Sequence, residues 1–264
     1  MSSDHSVQDA SLPRFAVAFQ PIVAPAPRRV VAHEALLRGR GGTPAGGVLG
    51  RVPPRERARF EQAALAAALS AFAATGARSA LHVNACPVTL ARAPDSFDPL
   101  AEVAGGEGAV RIVVEMAEGG SAEPDHLARA AAEARARGLA VALDQFGTGY
   151  GGLGLLDLVR PSVAKLDMSL CRGIHLHRAR RSIVAALLAA AAERAITVVA
   201  VGVESEGEYR CLAGLGVALF QGFLFAPPVT GEAPGPDAVA WPPASAPPWW
   251  SGGSVARAVH ARDV

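Results

Sequence analysis

The sequence predicts an α/β protein of the (βα)8-barrel type. Segments that favour strands alternate with segments that favour helices along most of the 264 residues. The predicted strands are apolar along nearly their whole length, which is typical of parallel strands that are buried on both faces. A chain of this length suits one large barrel domain, since such barrels commonly have about 250 residues.

The predicted elements follow a polar segment, residues 1–14, and form one barrel domain over residues 15–229. The first long helix contains Phe60, Leu65 and Phe72 at helical spacing. The predicted strands are residues 15–23, 30–37, 80–84, 110–116, 140–144, 163–167, 196–203 and 218–220. The predicted helices are residues 55–75, 125–137, 153–159, 178–192 and 205–215.

The composition changes after residue 229. Residues 230–264 contain six prolines, Trp241 and the pair Trp249 and Trp250. Because proline interrupts helices and strands, we predict a Pro-rich C-terminal extension largely without regular structure, with a short helix at 255–260. Its tryptophans either dock on the barrel or bind a partner, and docking is the simpler interpretation.

Composition excludes several classes of function. The net charge of +1, from 25 basic and 24 acidic residues, gives no overall field towards a nucleic acid polymer or an anionic membrane. The cysteines lack metal-ligand spacing, and the longest apolar run, residues 183–192, is shorter than the ~20 residues that span a bilayer. No signal-peptide pattern opens the sequence. We therefore predict a cytoplasmic protein without membrane insertion.

Polar side chains occur where the predicted strands end. In a barrel such residues converge at the carboxyl ends of the strands, where catalytic groups lie. The oxygen donors among them suit Mg²⁺ or Mn²⁺ better than zinc, and a lysine can balance phosphate charge or hold a water molecule. The residues are Glu34, Asn84, Glu115, Asp144, Lys165, Asp167 and Gln221.

Each of these residues has a structural alternative. Asn84 suits a helix cap, and Lys165 with Asp167 suits a structural ion pair. The glycines from Gly147 to Gly152 also match a dinucleotide-binding fingerprint, with Asp167 twenty positions after the first. Asp144 disfavours that interpretation because its charge repels pyrophosphate, and Pro161 leaves room only for a short helix.

Eight separated segments resemble the EAL-domain family, in the order that the family has. They lie within residues 15–229, and their agreement is more specific than any one motif. The segments are FQPI (19–22), HEALLRG (33–39), VN (83–84), VEMAE (114–118), LDQFGTGY (143–150), AKLD (164–167), AVGVE (200–204) and FQGFLF (220–225).

The resemblance implies a modified (βα)8 barrel whose first strand runs antiparallel. Catalytic members of the family hydrolyse bacterial cyclic di-GMP to linear pGpG with two Mg²⁺ or Mn²⁺ ions. The resemblance also implies a homodimer that forms through helices near the glycine loop. By resemblance, the metal ligands are Glu34, Asn84, Glu115 and Asp144. The polar ring around water and metals is Lys165, Asp167 and Gln221, the anchor of the loop after Asp144 is Glu118, and the nucleotide contacts are Gln20 and Arg38.

Two positions depart from the catalytic pattern. Gln145 stands where catalytic members have a second aspartate, and Val201 replaces a catalytic glutamate. A neutral amide is a poor substitute for a carboxylate that bridges to a second cation. We therefore predict a degenerate EAL domain that binds cyclic di-GMP or a protein partner with little hydrolysis. An active phosphodiesterase, and a protein-interaction module without nucleotide binding, remain the alternatives.

Overall fold

The structure is a computed structural model that describes residues 12–92, 94–106, 108–117, 124–148 and 153–243. Eight strands close into a barrel. Strands β2 to β8 are parallel neighbours in chain order, and β1 pairs antiparallel with both β2 and β8. This confirms the predicted barrel with an antiparallel first strand. The strands are β1 (Phe15–Ala24), β2 (Arg29–Gly39), β3 (Ala80–Asn84), β4 (Ile112–Ala117), β5 (Ala140–Phe146), β6 (Val163–Leu166), β7 (Thr197–Ala200) and β8 (Leu219–Phe220).

Helices surround the barrel. The longest one buries Leu65, Leu69 and Phe72 against the sheet, as their helical spacing predicts, and Phe60 in a separate cluster with Val48 and Val52. The helices of the described residues are α1 (Ala45–Leu49), α2 (Arg57–Thr75), α3 (Pro87–Arg92), α4 (Asp98–Gly105), α5 (Pro124–Ala136), α6 (Gly154–Val159), α7 (Met168–Cys171), α8 (Arg178–Ala192) and α9 (Glu206–Gly214). Short 3₁₀ turns occur at Arg40–Gly42, Pro54–Glu56, Pro94–Phe97, Ile174–Leu176 and Pro236–Ala238.

The barrel interior changes from apolar to polar along the strands. Successive side chains of a strand point to opposite faces, so every second residue points inward. The inward apolar layer includes Ile22, Val113, Val163 and Val199. The next inward residues towards the carboxyl ends of the strands are polar on most strands. The interior therefore presents its polar groups at one mouth.

Strand β7 is shorter than predicted, and α7 was not predicted. The predicted strand over 196–203 ends at Ala200, because Gly202 has a left-handed backbone with φ of 68°. Asp167, predicted at a strand end, instead caps α7, and its carboxylate accepts a hydrogen bond from Ser169 N at 2.7 Å. Both differences turn the chain sharply at the mouth.

The described part of the C-terminal segment runs along the outside of the barrel. A short strand β9 (Val229–Thr230) pairs with β1, and Nε2 of His33 hydrogen-bonds to Pro234 O at 2.9 Å. Trp241 packs against the apolar cluster outside β6 to β8. Trp249, Trp250 and residues 255–260 lie outside the described residues. No helix in the described residues is long and apolar enough to cross a membrane.

Candidate functional site

Lys165 lies at the centre of the barrel mouth. The β6 strand places its side chain inward, and only 2% of the residue is exposed. Its Nζ is 2.6 Å from Glu34 Oε2 and 2.7 Å from Glu115 Oε1. The ammonium therefore bridges carboxylates from two other strands, Glu34 and Glu115, and the alternative of a structural ion pair with Asp167 is not what the described residues show.

Amide side chains complete this network. Asn84 donates to Glu34 Oε1 at 2.9 Å, and Gln221 donates to Glu34 Oε2 at 2.7 Å. Gln20 is one of the two nucleotide contacts that the family resemblance implies. It accepts a hydrogen bond from Gln221 at 3.3 Å and donates one to Ala226 O at 3.0 Å. The side-chain NH₂ group of Asn84 is therefore engaged in a hydrogen bond to Glu34. Side chains from β3, β6 and the end of β8 meet at the Glu34 carboxylate, and Gln20 of β1 joins them through Gln221.

The buried charges shift one another strongly. Burial by itself raises the pKa of Glu34, but attraction to Lys165 and hydrogen bonds from Lys165, Asn84 and Gln221 lower it to about 2. Burial, with repulsion from Glu34, raises the pKa of Glu115 to about 8 in spite of Lys165. Burial alone would lower the pKa of Lys165, but its carboxylate neighbours hold it above the usual range. The lysine is therefore charged at neutral pH.

Beneath Glu115 lies His82, which sequence reasoning did not single out. Its Nδ1 is 2.7 Å from Glu115 Oε1, and the residue is fully buried. Burial lowers the pKa of His82 to about 3, with Lys165 adding to the effect, so the ring is neutral. Its Nε2 is buried without a hydrogen-bond partner among the described residues. The sequence did contain a signal for this residue, namely a histidine at an inward position of an otherwise apolar strand.

Asp144 and Gln145 form an irregularity in β5. Its pairing with β6 shifts register between Leu143 and Phe146, and Gln145 has a φ of 58° with an exposed side chain. Burial, together with Glu115 and Glu34, raises the pKa of Asp144 to about 6 although Lys165 opposes this. Asp144 thus belongs to the charged cluster, whereas the amide of Gln145 faces solvent.

Val201 follows β7 and continues its inward row. The half-buried side chain packs against the apolar interior layer that contains Val199. Glu204 does not supply a carboxylate at this position, because its own carboxylate forms an exposed ion pair with Arg172. An apolar group therefore occupies this part of the mouth.

The remaining predicted residues lie around the mouth or outside the described chain. Arg38, on β2, is half-buried and donates to Leu37 O at 2.9 Å. Burial lowers its pKa, although Glu34 opposes this. Asp167 lies two residues beyond Lys165 and is half-exposed. Glu118 lies outside the described residues.

Comparison with known proteins identifies the family. The sequence profile described as "EAL domain" matches residues 4–228, most of the chain. The chain belongs to the EAL domain family. Among curated proteins it is 31% identical over 230 residues to the blue light- and temperature-regulated antirepressor BluF of Escherichia coli. That match covers 85% of this chain and 56% of BluF, so the chain spans about half the length of this relative.

Solved structures of EAL proteins have the same fold. The Klebsiella pneumoniae protein BlrP1, in a complex with manganese and cyclic di-GMP, superposes with a TM-score of 0.77 at 30% identity, covering 87% of this chain and 59% of BlrP1. A standalone EAL protein from Vibrio cholerae, bound to c-di-GMP, has a TM-score of 0.72 at 31% identity, covering 86% and 96% of the two chains. This chain therefore has the phosphodiesterase-like EAL fold.

Lys165 of this EAL domain carries a further signal in the sequence. It is the only lysine, because all the other residues among the 25 basic ones are arginine. Lysine presents a compact point charge, whereas arginine presents a broad planar fork. The space between Glu34 and Glu115 accepts the compact ammonium at contacts of 2.6 and 2.7 Å.

The donor set of the EAL domain fits one hard cation. Glu34 and Glu115 already converge on a single positive atom, and Asn84 and Asp144 add oxygen donors at the same mouth. Within the described residues, no three His, Cys, Asp or Glu side chains form a ready-made metal cluster. Any such site would therefore need the amide of Asn84 as well, and Lys165 Nζ lies at the point where Glu34 and Glu115 converge.

Glu208 holds two loops of the mouth together. Its carboxylate accepts hydrogen bonds from the backbone N–H groups of Gly173 at 2.8 Å, Glu204 at 2.9 Å and Ser205 at 3.0 Å. Ser205 Oγ accepts from Glu208 N in return, forming a capping box at the start of α9. The loop after β6 and the loop after β7 are thereby fixed to one helix. The Ser-x-x-Glu spacing was a readable signal for this role.

We expect Glu208→Gln to lower the free energy of unfolding at pH 7 by about 1–2 kcal/mol, because a neutral amide accepts these bonds less strongly. Burial by itself raises the pKa of Glu208, but the three backbone donors hold it below its ordinary value. The stabilisation is thus fully present above the ordinary glutamate pKa and is lost as the pH falls through the lowered value. Urea unfolding at several pH values should show the two proteins converging at acid pH. Exposed Glu206→Gln is the control, and a constant difference at all pH values would contradict this role.

Proposed function

We propose that this EAL domain binds cyclic di-GMP at the barrel mouth with one Mg²⁺ or Mn²⁺ ion, hydrolyses it slowly or not at all, and reports the bound state to a protein partner. The observation that carries the proposal is the pair Gln145 and Val201. One side chain is an exposed amide and the other is an aliphatic group against the interior apolar layer. Neither side chain supplies a carboxylate for a second cation.

The residues for binding are still present. In our proposal the cation ligands are Glu34, Asn84, Glu115 and Asp144, and the nucleotide contacts are Gln20 and Arg38. Lys165, Asp167 and Gln221 contribute the polar ring, and Glu118 anchors the loop after Asp144. A cation held by these residues would polarise a phosphate oxygen and lower the pKa of a bound water molecule. Lys165 and Gln221 keep Glu34 oriented for it through contacts of 2.6 and 2.7 Å.

Loss of the second carboxylate set favours a low rate. Removing one positioned acid, base or charge stabiliser typically costs roughly 10²–10⁴-fold in rate. Two such positions differ here, and groups that act as a unit fail together. Binding depends on a different set of side chains, so affinity can persist when turnover is lost.

Two other functions are supported by specific features. The charged network around Lys165 fits an active phosphodiesterase. A relative named cyclic di-GMP phosphodiesterase PdeR, of Escherichia coli, is 38% identical over 123 residues, which cover 46% of this chain and 19% of PdeR. The relative BluF is named an antirepressor, which fits a protein-interaction module. A cytoplasmic location and a homodimer remain predictions.

Calorimetry with cyclic di-GMP and Mg²⁺ tests the binding half of the proposal. We expect saturable binding that weakens roughly tenfold or more in Arg38→Ala, because a charged contact to phosphate is lost. Exposed Arg129→Ala, on α5, is the matched control and should bind normally. Absence of saturable binding by the folded protein would reject the sensor and leave the interaction module.

We expect His82→Leu to weaken Mn²⁺ binding roughly tenfold, because a group that hydrogen-bonds to a metal ligand orients that ligand. Its Nδ1 contact of 2.7 Å fixes Glu115 Oε1. His82→Asn can keep a donor at the same place and should retain most of the affinity. Titration of Mn²⁺, followed by its electron paramagnetic resonance signal, measures both. Equal loss in the two folded variants would contradict a positioning role.

A further inference from the structure

The chain after β8 forms a closed loop on the outside of the barrel. Each strand of such a barrel is normally followed by a helix, but no α-helix follows β8 within the described residues 221–243. Instead, the backbone N–H of Ala240 donates to Phe225 O at 2.8 Å and closes a surface loop. We call residues 226–241 the strap, since they cross the side of the barrel that a helix would otherwise cover.

The strap completes the barrel wall beside β1. Strand β2 pairs with β1 along its whole length, so β8 and β9 share the other edge of β1. Strand β8 pairs with β1 only at Val23, whereas β9 of the strap pairs at Ala18 and Phe19. Next to β9, Gly231 N donates to Val17 O at 3.1 Å. Without the strap, the half of β1 nearer the mouth would therefore have an open edge.

The strap is also attached to β2, directly behind Glu34. The Nε2–H group of His33 donates to Pro234 O at 2.9 Å, and the Nδ1 atom of the same ring is 2.7 Å from Ser79 Oγ. Because successive side chains of a strand alternate between its faces, His33 points outward where Glu34 points towards the mouth. The strap thus contacts the outer side of both strands that carry Gln20 and Glu34.

Few buried side chains hold the strap on the barrel. Val239 is 6% exposed and Trp241 is half-buried, and both pack against the apolar cluster outside β6 to β8. Trp241 Nε1 donates within the strap, to Pro236 O at 2.9 Å, and residues 235–238 are exposed. A segment with so few buried apolar contacts opens at a lower free energy than the whole domain. The strap can therefore detach while the barrel stays folded.

A chain of hydrogen bonds joins the strap to the mouth. At the first residue of the strap, Ala226 O accepts from Gln20 Nε2 at 3.0 Å. Gln20 Oε1 accepts from Gln221 at 3.3 Å, and Gln221 also donates to Glu34 Oε2 at 2.7 Å. Gln20 and Glu34 are in addition direct partners in the pairing of β1 with β2. When the strap detaches, Gln20 loses one of the two groups that orient its side chain.

We propose that docking of the strap is coupled to nucleotide binding at the mouth, and that the docked form is the one that binds cyclic di-GMP. This inference rests on the function proposed above and identifies the element that reports the bound state. A ligand that binds only the docked form shifts the population towards it. By linkage, a change that detaches the strap weakens the binding of the ligand. The strap lies outside the barrel wall, so the effect passes through Gln20 and β1.

Tryptophan fluorescence of the full chain reports docking directly. The chain has three tryptophans, so Trp249→Phe with Trp250→Phe leaves Trp241 of the strap as the single fluorophore. In this background, Val239→Asp places a carboxylate in the apolar cluster and should detach the strap. The matched control is Ala238→Asp, which adds the same charge at the exposed neighbouring residue. Far-UV circular dichroism establishes that the barrel is folded in each protein.

We expect Val239→Asp to shift the emission of Trp241 to longer wavelength and to bind cyclic di-GMP with Mg²⁺ roughly tenfold more weakly in calorimetry. The control should keep both properties. In the natural chain, saturating cyclic di-GMP should slow hydrogen exchange at the amides of Gly231 and Ala240, a measurement that needs no substitution.

Three results would overturn the coupling alone. They are undiminished binding by Val239→Asp with a shifted emission, weakened binding with an unshifted emission, and unchanged exchange at Gly231 and Ala240 when cyclic di-GMP is bound. Absence of binding by the folded natural chain would overturn the function proposed for the mouth together with the coupling. The two failures are therefore distinguishable.

Discussion

Restoring both carboxylates, with Gln145→Asp and Val201→Glu together, is expected to raise the rate of cyclic di-GMP hydrolysis at least roughly 10²-fold. Position 145 suits the change, because aspartate tolerates the left-handed backbone at φ of 58° better than glutamine does. Position 201 continues the inward row of β7, so a carboxylate there faces the mouth. Each single change should give much less than the pair.

The matched control for this pair is Gln145→Asn with Val201→Gln. Asparagine also tolerates the left-handed backbone, and glutamine has the size of glutamate, but neither adds charge. The control should stay inactive. That result would show that the added negative charge, and not relief of backbone strain at position 145, raises the rate. A double carboxylate variant that folds, binds cyclic di-GMP and remains inert would show that other parts of the mouth have also changed.

Replacing the single lysine is expected to have the largest effect on stability. In Lys165→Met the ionised carboxylate of Glu34 loses its counter-charge while it remains buried, and Glu115, whose pKa is raised to about 8, loses a hydrogen-bond donor. Breaking a buried ion pair on one side typically costs about 3–5 kcal/mol. We expect a loss of this size in the free energy of unfolding, measured by urea denaturation with a chelator present.

A second substitution distinguishes charge from packing. Glu34→Gln added to Lys165→Met removes the stranded charge and should restore most of the stability. Lys165→Arg keeps the charge, but its larger planar head does not fit contacts of 2.6 and 2.7 Å and should also destabilise the protein. A loss below about 1 kcal/mol in Lys165→Met would contradict the account of the buried network.

The alternation of apolar strands and helices was enough to predict the barrel, because buried parallel strands have a distinctive composition. The strand-end position of Glu34, Glu115 and Lys165 also predicted a shared mouth. Their contacts were not predictable in the same way. They arise when residues 34, 115 and 165 are brought together by closure of the sheet, which no local pattern encodes.

Local backbone geometry was the other limit of prediction. Sequence spacing gave no sign that Gln145 adopts a left-handed conformation, or that Asp167 caps a one-turn helix. Both depend on how the chain turns at the mouth, where propensity is overridden by tertiary packing. The inward direction of Val201 could be inferred, since it lies two residues after Val199 on the same row.

The rate of cyclic di-GMP hydrolysis tests the central claim most directly. Purified protein is incubated with cyclic di-GMP and Mg²⁺ or Mn²⁺, and linear pGpG is quantified by chromatography, with calorimetry on the same sample to establish binding. The account predicts saturable binding with turnover at least roughly 10²-fold below the ~10 s⁻¹ of a typical enzyme. Turnover of about 1 s⁻¹ or faster would contradict it and establish an active phosphodiesterase.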